Sequence, residues 1–131
     1  MQVRLINPTA WLQSFGLNHG VEVRGGTRAL FLSGQTSSDA DGAPVHPGDV
    51  TAQFRLAWAN LKEALAAADM APSNVVRLNI YTTDVDGFMA QAGEAMPELG
   101  KDGCNPCCTL LGVARLYDPA ILVELEATAV A

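Results

Sequence analysis

The chain has few basic residues and no long hydrophobic run. Its 131 residues include eight lysines and arginines against fourteen aspartates and glutamates, which gives a formal net charge of -6 at pH 7. Because nucleic-acid binding depends on clustered basic side chains that neutralise phosphates, we expect no nucleic-acid partner. The longest apolar runs, Ala64–Ala68 and Ala120–Val123, are far shorter than the ~20 residues that cross a bilayer. We therefore expect no membrane partner.

Cysteine is also scarce. The three cysteines all lie within residues 104–108, and an odd number in a chain of this length does not indicate a disulfide framework. The N-terminal residues lack the basic stretch followed by an apolar stretch that is typical of a secretory signal. With a hydrophobic content of 49%, the chain suits one domain with a full core. We predict a single domain over residues 1–131 in a cytoplasmic protein.

The hydrophobic pattern predicts an α+β fold in the order β-β-α-β-α-β-β, with two helices on one face of the sheet. Two short apolar segments, Val21–Val23 and Ala29–Ser33, are separated by Gly25 and Gly26. Paired glycines between two short strands are typical of a tight turn. We therefore expect these strands to form a hairpin.

A long amphipathic helix follows a turn-rich loop. Asp49 is placed to cap this helix, because an aspartate side chain before the first turn accepts a backbone N–H. Gln53 falls outside the apolar stripe. The stripe itself recurs at helical spacing and consists of Val50, Phe54, Ala57, Trp58, Leu61, Leu65 and Ala68.

The second half of the chain predicts three more strands and a second helix. Val75–Thr82 is rich in β-branched residues and is expected to form a strand. Asp86 is expected to cap the next helix, and Pro97 to end or kink it. The final two strands are expected over Thr109–Ala114 and Ile121–Ala129.

Four segments resemble the reactive intermediate deaminase (RidA) family. They are "LFLSGQTSSDADG", "DVTAQFRLAWANLKEALAAADM", "NVVRLNIYTTDVDGF" and "ARLYDPAILVELEATAVA", and their order and spacing extend over nearly the whole chain. The resemblance implies a chorismate-mutase-like fold and a homotrimer with substrate clefts between neighbouring subunits. It also implies hydrolysis of short-lived enamines and imines derived from amino acids, with no metal and no organic cofactor.

The resemblance implies two principal site residues, and one of them departs from the family pattern. Family members carry a carboxylate-binding arginine two residues after the proline that precedes the penultimate strand. Here that proline is Pro106 and the matching position is Cys108, whose thiol lacks the fixed charge and forked geometry of a guanidinium. Glu124 matches the family glutamate that positions the attacking water. We therefore predict Glu124 and Cys108 as the catalytic residues.

The remaining predicted site residues would bind the substrate. Leu17 occupies the position at which family members often carry an aromatic residue. The other substrate-binding residues are the strand-end group Ser33, Gly34 and Gln35 and the two neighbours of Cys108, which are Cys107 and Thr109. No metal site is predicted.

The cysteines allow four interpretations. Cys108 could line the cleft as a nucleophile or a polar contact, or it could simply pack, since free cysteine is commonly buried. Cys104 and Cys107 have the spacing of a dithiol redox motif, although a strand pattern follows them where such motifs have a helix. A metal site with His19 or His46 is the fourth interpretation.

Side-chain alternation separates the two adjacent cysteines. Along a strand, Cys107 should share a face with Thr109, and Cys108 should share the other face with Leu110 and Gly112. We expect Cys108 to be the residue that lines the cleft and Cys107 to be packing. We also expect a Glu124 charge close to Cys108 to raise the pKa of its thiol and to disfavour a nucleophilic role.

Three classes of function follow. The first is a small-molecule hydrolase of the enamine or imine deaminase type whose substrate is anchored without the family arginine. The second is a trimer of the same fold that binds a metabolite without turnover. The third is a chaperone-like or structural role of the trimer surface, for which the sequence has no positive feature.

Overall fold

Alternating and helical hydrophobic patterns produce a mixed α+β fold, which confirms the predicted class. The computed structural model describes the backbone of residues 1–131 and every side chain apart from that of Ala92. The strands are β1 (Gln2–Ile6), β2 (Gly20–Arg24), β3 (Ala29–Phe31), β4 (Gln35–Thr36), β5 (Val75–Thr82), β6 (Cys107–Gly112) and β7 (Val123–Val130). The α-helices are α1 (Val50–Ala67), α2 (Val85–Ala95) and α3 (Pro97–Lys101).

The main sheet is built around β5. Its strands follow the order β3-β7-β5-β6, and β4 also pairs with β7. β7 runs antiparallel to β5, whereas β6 runs parallel to it. Because β5 and β6 are parallel, the segment that connects them must return from one end of the sheet to the other. α2 and α3 form that connection. α1 packs on β4 and β7, and α2 packs beside α1, so both long helices lie on one face as predicted.

Side chains therefore alternate between two faces of this sheet. The core face lies under the helices and includes Leu78, Ile80, Val123, Leu125 and Ala127, each of which is buried. We call the opposite side the open face. On β5, β6 and β7 it carries Arg77, Asn79, Tyr81, Cys107, Thr109, Leu111, Glu124, Glu126 and Thr128.

The predicted hairpin between the first two strands is wrong. β2 pairs with β1, a strand that the sequence pattern did not predict, and these two form a separate ribbon. β3 pairs instead with β7 at the other end of the chain. Gly25 still forms a turn, with a φ of 76°. The next residues turn away from β2 because the backbone N–H groups of Thr27 and Arg28 both donate to the Ala131 carbonyl.

The predicted cap of α1 is confirmed, and so is its buried stripe apart from Ala68, which follows the helix and is only half-buried. Asp49 accepts a hydrogen bond from the Ala52 backbone N–H at 3.0 Å. Gln53 was predicted to lie outside the buried stripe, yet it is fully buried. Its Nε2 donates to the carbonyls of His46 and Ala120 at 3.0 and 2.8 Å, and its Oε1 accepts from Leu122 N–H at 2.8 Å. Gln53 therefore ties α1 to two loops.

The second helix begins with a different cap from the one predicted. Gly87 N–H donates to Asp84 Oδ1 at 3.0 Å, so Asp84 caps α2, and Asp86 lies in its first turn. Pro97 begins α3 directly after α2 ends, as expected for a proline that stops a helix. The last two strands are β6 and β7, and β6 begins two residues before the predicted Thr109. In the part of the chain described above, no helix is long and apolar enough to span a membrane.

We expect Gln53→Leu to destabilise the protein by about 2–4 kcal/mol, because leucine leaves three backbone groups without the hydrogen-bond partners that the buried Gln53 side chain supplies. Urea unfolding at a fixed protein concentration measures this loss. The control Gln13→Leu, at an exposed position, should change the free energy of unfolding by less than about 0.5 kcal/mol. Equal effects of the two substitutions would contradict a structural role for Gln53.

Candidate functional site

Glu124 lies on the open face where β7 pairs with two strands. Its Cα is opposite Tyr81 of β5 on one side and Thr36 of β4 on the other. The side chain lies against Gly34, because a Cβ added at position 34 would overlap the Glu124 carboxylate. Burial raises the pKa of Glu124, and the neighbouring charge of Glu126 raises it further. This carboxyl group therefore has the environment of a proton acceptor.

Glu126 is held by two hydrogen bonds. Asn79 Nδ2 donates to Glu126 Oε1 at 2.9 Å, and Tyr81 Oη donates to the same oxygen at 3.0 Å. The hydrogen bond to Glu126 raises the pKa of Tyr81, with burial as the next cause, so the phenol stays protonated and remains a donor. The two donors hold the Glu126 carboxylate in place on the open face.

The strand-end residues predicted from the sequence come together with Glu124. β4 begins at Gln35 and pairs with β7, which places the preceding Gly34 directly beneath the glutamate. Ser33 is exposed next to it, and Gln35 Nε2 donates to the Ser33 carbonyl at 3.2 Å. Glu124 and residues 33–35 therefore form one polar cluster, which we call the Glu124 cluster.

Cys108 does not belong to the Glu124 cluster within one chain. It is opposite Leu78 and packs against the hydrophobic core, on the face away from Glu124. Burial raises the pKa of the Cys108 thiol to about 12; Arg77 opposes this rise and Cys107 adds to it. The expected cause, a nearby Glu124 charge, is therefore wrong. A thiol with this pKa stays protonated near neutral pH and is a poor nucleophile.

Cys107 is the cysteine that shares the open face with Glu124. Its thiol donates to the Val76 carbonyl at 3.2 Å, and Arg77 Nη1 donates to its sulfur at 3.8 Å. Arg77 Nη2 also donates to Thr109 Oγ1 at 2.8 Å. The predicted alternation of the two cysteines is confirmed, but the sequence did not reveal Arg77 as their neighbour. Only the register of β5 against β6 brings it there.

Leu17 lies beside the outer edge of β6. The residue after it, Asn18, forms a bridge with Cys107, and its backbone N–H donates to the Pro106 carbonyl at 3.0 Å. Asn18 Nδ2 also donates to the Asn105 side chain at 2.8 Å. Leu17 and Cys108 therefore both lie at the β6 side of the sheet, whereas the Glu124 cluster lies at the β4 side.

The third cysteine and the metal-site interpretation concern the segment before β6. Cys104 is buried in the core, and this burial raises the pKa of its thiol to about 12. Among the side chains that the structure describes, no group of three or more His, Cys, Asp or Glu residues is arranged to hold a metal ion.

Comparisons with known proteins find relatives that are similar in sequence and relatives that are similar in fold. The family model described as endoribonuclease L-PSP matches residues 16–131. A RutC family protein from Pyrococcus horikoshii is 30% identical over 100 residues, which are 76% of this chain and 77% of the relative.

Solved structures agree with this match. YyfB from Yersinia pestis, of the conserved Rid protein family, superimposes with a TM-score of 0.87 at 32% identity over 100% of both chains. TdcF from E. coli, crystallised with bound serine, has a TM-score of 0.69 at 27% identity over 87% of each chain. The YjgF gene product of E. coli has a TM-score of 0.70 at 25% identity over 86% of each chain. With its sequence match and its fold, this chain belongs to the Rid/YjgF family, which the matching model describes as endoribonuclease L-PSP.

Proposed function

We propose that this protein is a cytoplasmic hydrolase of the enamine or imine deaminase type, acting on a reactive metabolic intermediate. The observation that carries the proposal is the half-buried carboxyl group of Glu124, whose pKa is raised by burial and by Glu126. A carboxylate with a pKa moved towards neutrality is a better general base for water at physiological pH. Membership of the Rid/YjgF family supports the same reaction class.

In the proposed reaction, Glu124 accepts a proton from water as the water oxygen bonds to the imine carbon. The C=N π bond breaks, its electron pair moves to nitrogen, and the protonated Glu124 passes the water proton to that nitrogen. In the resulting carbinolamine, Glu124 takes the hydroxyl proton and delivers it to the amino group, so that the C=O bond forms as the C–N bond breaks and ammonia leaves. The products are a carbonyl compound and ammonia, so the reaction consumes one water and needs no metal or organic cofactor.

The site we propose lies between subunits of a homotrimer. Glu124 and Cys108 lie on opposite faces of the sheet, and the Glu124 cluster and Leu17 lie towards opposite sides of it. A cleft that uses all of these residues must therefore take the Glu124 cluster from one subunit and the Cys108 side from another. Cys107 and Thr109 would support the second wall, next to Arg77.

The substrate we propose is a small amine-derived intermediate whose anchoring group is not a simple carboxylate. The bound serine of TdcF supports an amino-acid-like size for the ligand. At position 108, however, this chain has a thiol that stays neutral near pH 7 because burial raises its pKa to about 12. A neutral thiol offers a substrate carboxylate neither charge nor bidentate hydrogen bonding.

The neutral thiol at position 108 also favours a second candidate function. A trimer without a charged anchor at position 108 could hold a metabolite in its clefts without turning it over. The two functions differ in their requirement for Glu124, because only hydrolysis needs a group that accepts a proton from water.

Light scattering at micromolar concentration should give about three times the chain mass of 13.8 kDa. The physical reason is the open face, whose charged and polar side chains become an interior surface in a closed ring of three subunits. A monodisperse monomer would remove the second wall of the cleft and would refute the intersubunit site.

We expect Glu124→Gln to lower imine hydrolysis by about 10²–10⁴-fold, since the amide cannot accept the proton of water. Gly34→Ala should also lower hydrolysis, because the added methyl group displaces the Glu124 carboxylate. The matched control is Gly100→Ala, where an added Cβ meets nothing within 4 Å. Trapping of the released carbonyl compound measures the rate, and thermal unfolding checks that each variant is folded. Full activity of Glu124→Gln would favour the binding function.

We expect 2-iminopropionate to be a poor substrate of the natural protein, and Cys108→Arg to raise its kcat/KM by about tenfold or more, because a guanidinium restores a charged partner for the carboxylate. Met89→Arg is the control, since it places the same group at an exposed position on α2, away from the proposed cleft. A neutral analogue without a carboxylate should gain nothing from either substitution. Efficient hydrolysis of 2-iminopropionate by the natural protein would show that another group anchors the carboxylate.

A further inference from the structure

Two glutamates lie side by side on β7, and they have different surroundings. Glu124 and Glu126 are two residues apart on the same face of the strand, which puts their Cα atoms about 6–7 Å apart. Glu126 Oε1 accepts hydrogen bonds from Asn79 at 2.9 Å and from Tyr81 at 3.0 Å. Glu124 instead lies against the backbone of Gly34. The proposed reaction uses Glu124 and assigns no role to Glu126.

Tyr81 connects the two carboxylates. In the register of β5 against β7, its Cα is opposite Glu124, whereas its hydroxyl donates to Glu126. The phenol therefore leans along the sheet towards Glu126 and fixes that carboxylate beside Glu124. Asn79, which is opposite Glu126, donates to the same oxygen from the next position of β5.

Among the charged groups near Glu124, Glu126 is the one that raises the pKa of Glu124. β5 contributes Tyr81 and, four residues before it, Arg77, whose guanidinium is engaged with Thr109 and Cys107 of β6. From β4 the neighbours are Gln35 and Thr36, which do not titrate. On β6 the residue at the level of Glu124 is Leu111, and the Cys107 thiol lies further along the strand, opposite Arg77. Burial and then Glu126 raise the pKa of Glu124.

We propose that Glu126 is a positioning residue that acts through Glu124: Asn79 and Tyr81 hold its carboxylate in place, and its fixed charge makes the Glu124 carboxylate a stronger base. This inference rests on the proposed role of Glu124 as the group that activates water. It assigns a function to three open-face residues that do not themselves touch the reacting atoms.

The physical basis is the coupling of two neighbouring acids. Asn79 and Tyr81 hold the Glu126 carboxylate in place beside Glu124. Glu124 must then ionise next to an existing negative charge, which moves its own ionisation to higher pH. Removing the charge at position 126 should therefore move the ionisation of Glu124 to lower pH.

The test is a titration of the side-chain carboxyl carbons by NMR in the full chain labelled with ¹³C-glutamate. The Glu124 signal is assigned by its loss in Glu124→Gln. We expect Glu126→Gln to lower the midpoint of the Glu124 titration by about 0.5–1 pH unit, the size expected of a like charge at this separation. Glu63→Gln is the matched control, because it removes the same charge from an exposed position on α1.

A second variant keeps the carboxylate at position 126 but removes one of the two groups that hold it in place. Tyr81→Phe removes one of the two donors that hold the Glu126 carboxylate in place, so the Glu124 midpoint should move in the same direction as in Glu126→Gln but by a smaller amount. This variant decides the question if Glu126→Gln does not fold. An unchanged Glu124 midpoint in either variant would overturn the inference.

The rate measurement separates this inference from the proposed function. If Glu124 activates water, the lower limb of the pH profile of kcat/KM should move with the Glu124 midpoint in Glu126→Gln. A shifted titration together with full activity of Glu124→Gln would refute the proposed function and leave the coupling of the two glutamates standing.

Discussion

The pairing of β7 with both β5 and β4 is the constraint on which the site depends. β7 is the strand that carries Glu124, and its pairing places Tyr81 of β5 on one side of this glutamate and Thr36 of β4 on the other. Because alternate residues of β7 are buried under α1, the residues between them must point to the open face. Any shift of register by one residue would bury Glu124 and Glu126 under the helices, where an unpaired charge is costly.

Close backbone approach defines the chemistry of Glu124. Gly34 has no side chain, so the carboxyl group lies directly on the backbone before β4 and loses part of its water. Glu126, at the next position on the same face, is held by two donors from β5. Two identical side chains on one strand thus have different surroundings, and burial together with the charge of Glu126 raises the pKa of Glu124.

The alternation of side chains along β6 keeps some of the predicted site residues apart within one chain. Cys108, which the family resemblance matches to a carboxylate-binding position, faces the core side of the sheet, away from Glu124. Cys107 faces the Glu124 side, where Arg77 contacts it. A single subunit therefore holds the two halves of the proposed site apart, and the intersubunit cleft that we propose would join them.

Local patterns in the sequence determined the capped start of α1 at Asp49, the span of β5 and the opposite orientation of Cys107 and Cys108, because each depends on neighbours within a few residues. The resemblance to a family marked Glu124. Tertiary structure alone decided the rest, because strand pairing joins residues far apart in the chain. In the folded chain, β3 pairs with β7 and not with β2, and Glu126 lies beside Asn79 and Tyr81. Tertiary contacts also bury Gln53 of α1 against two loops.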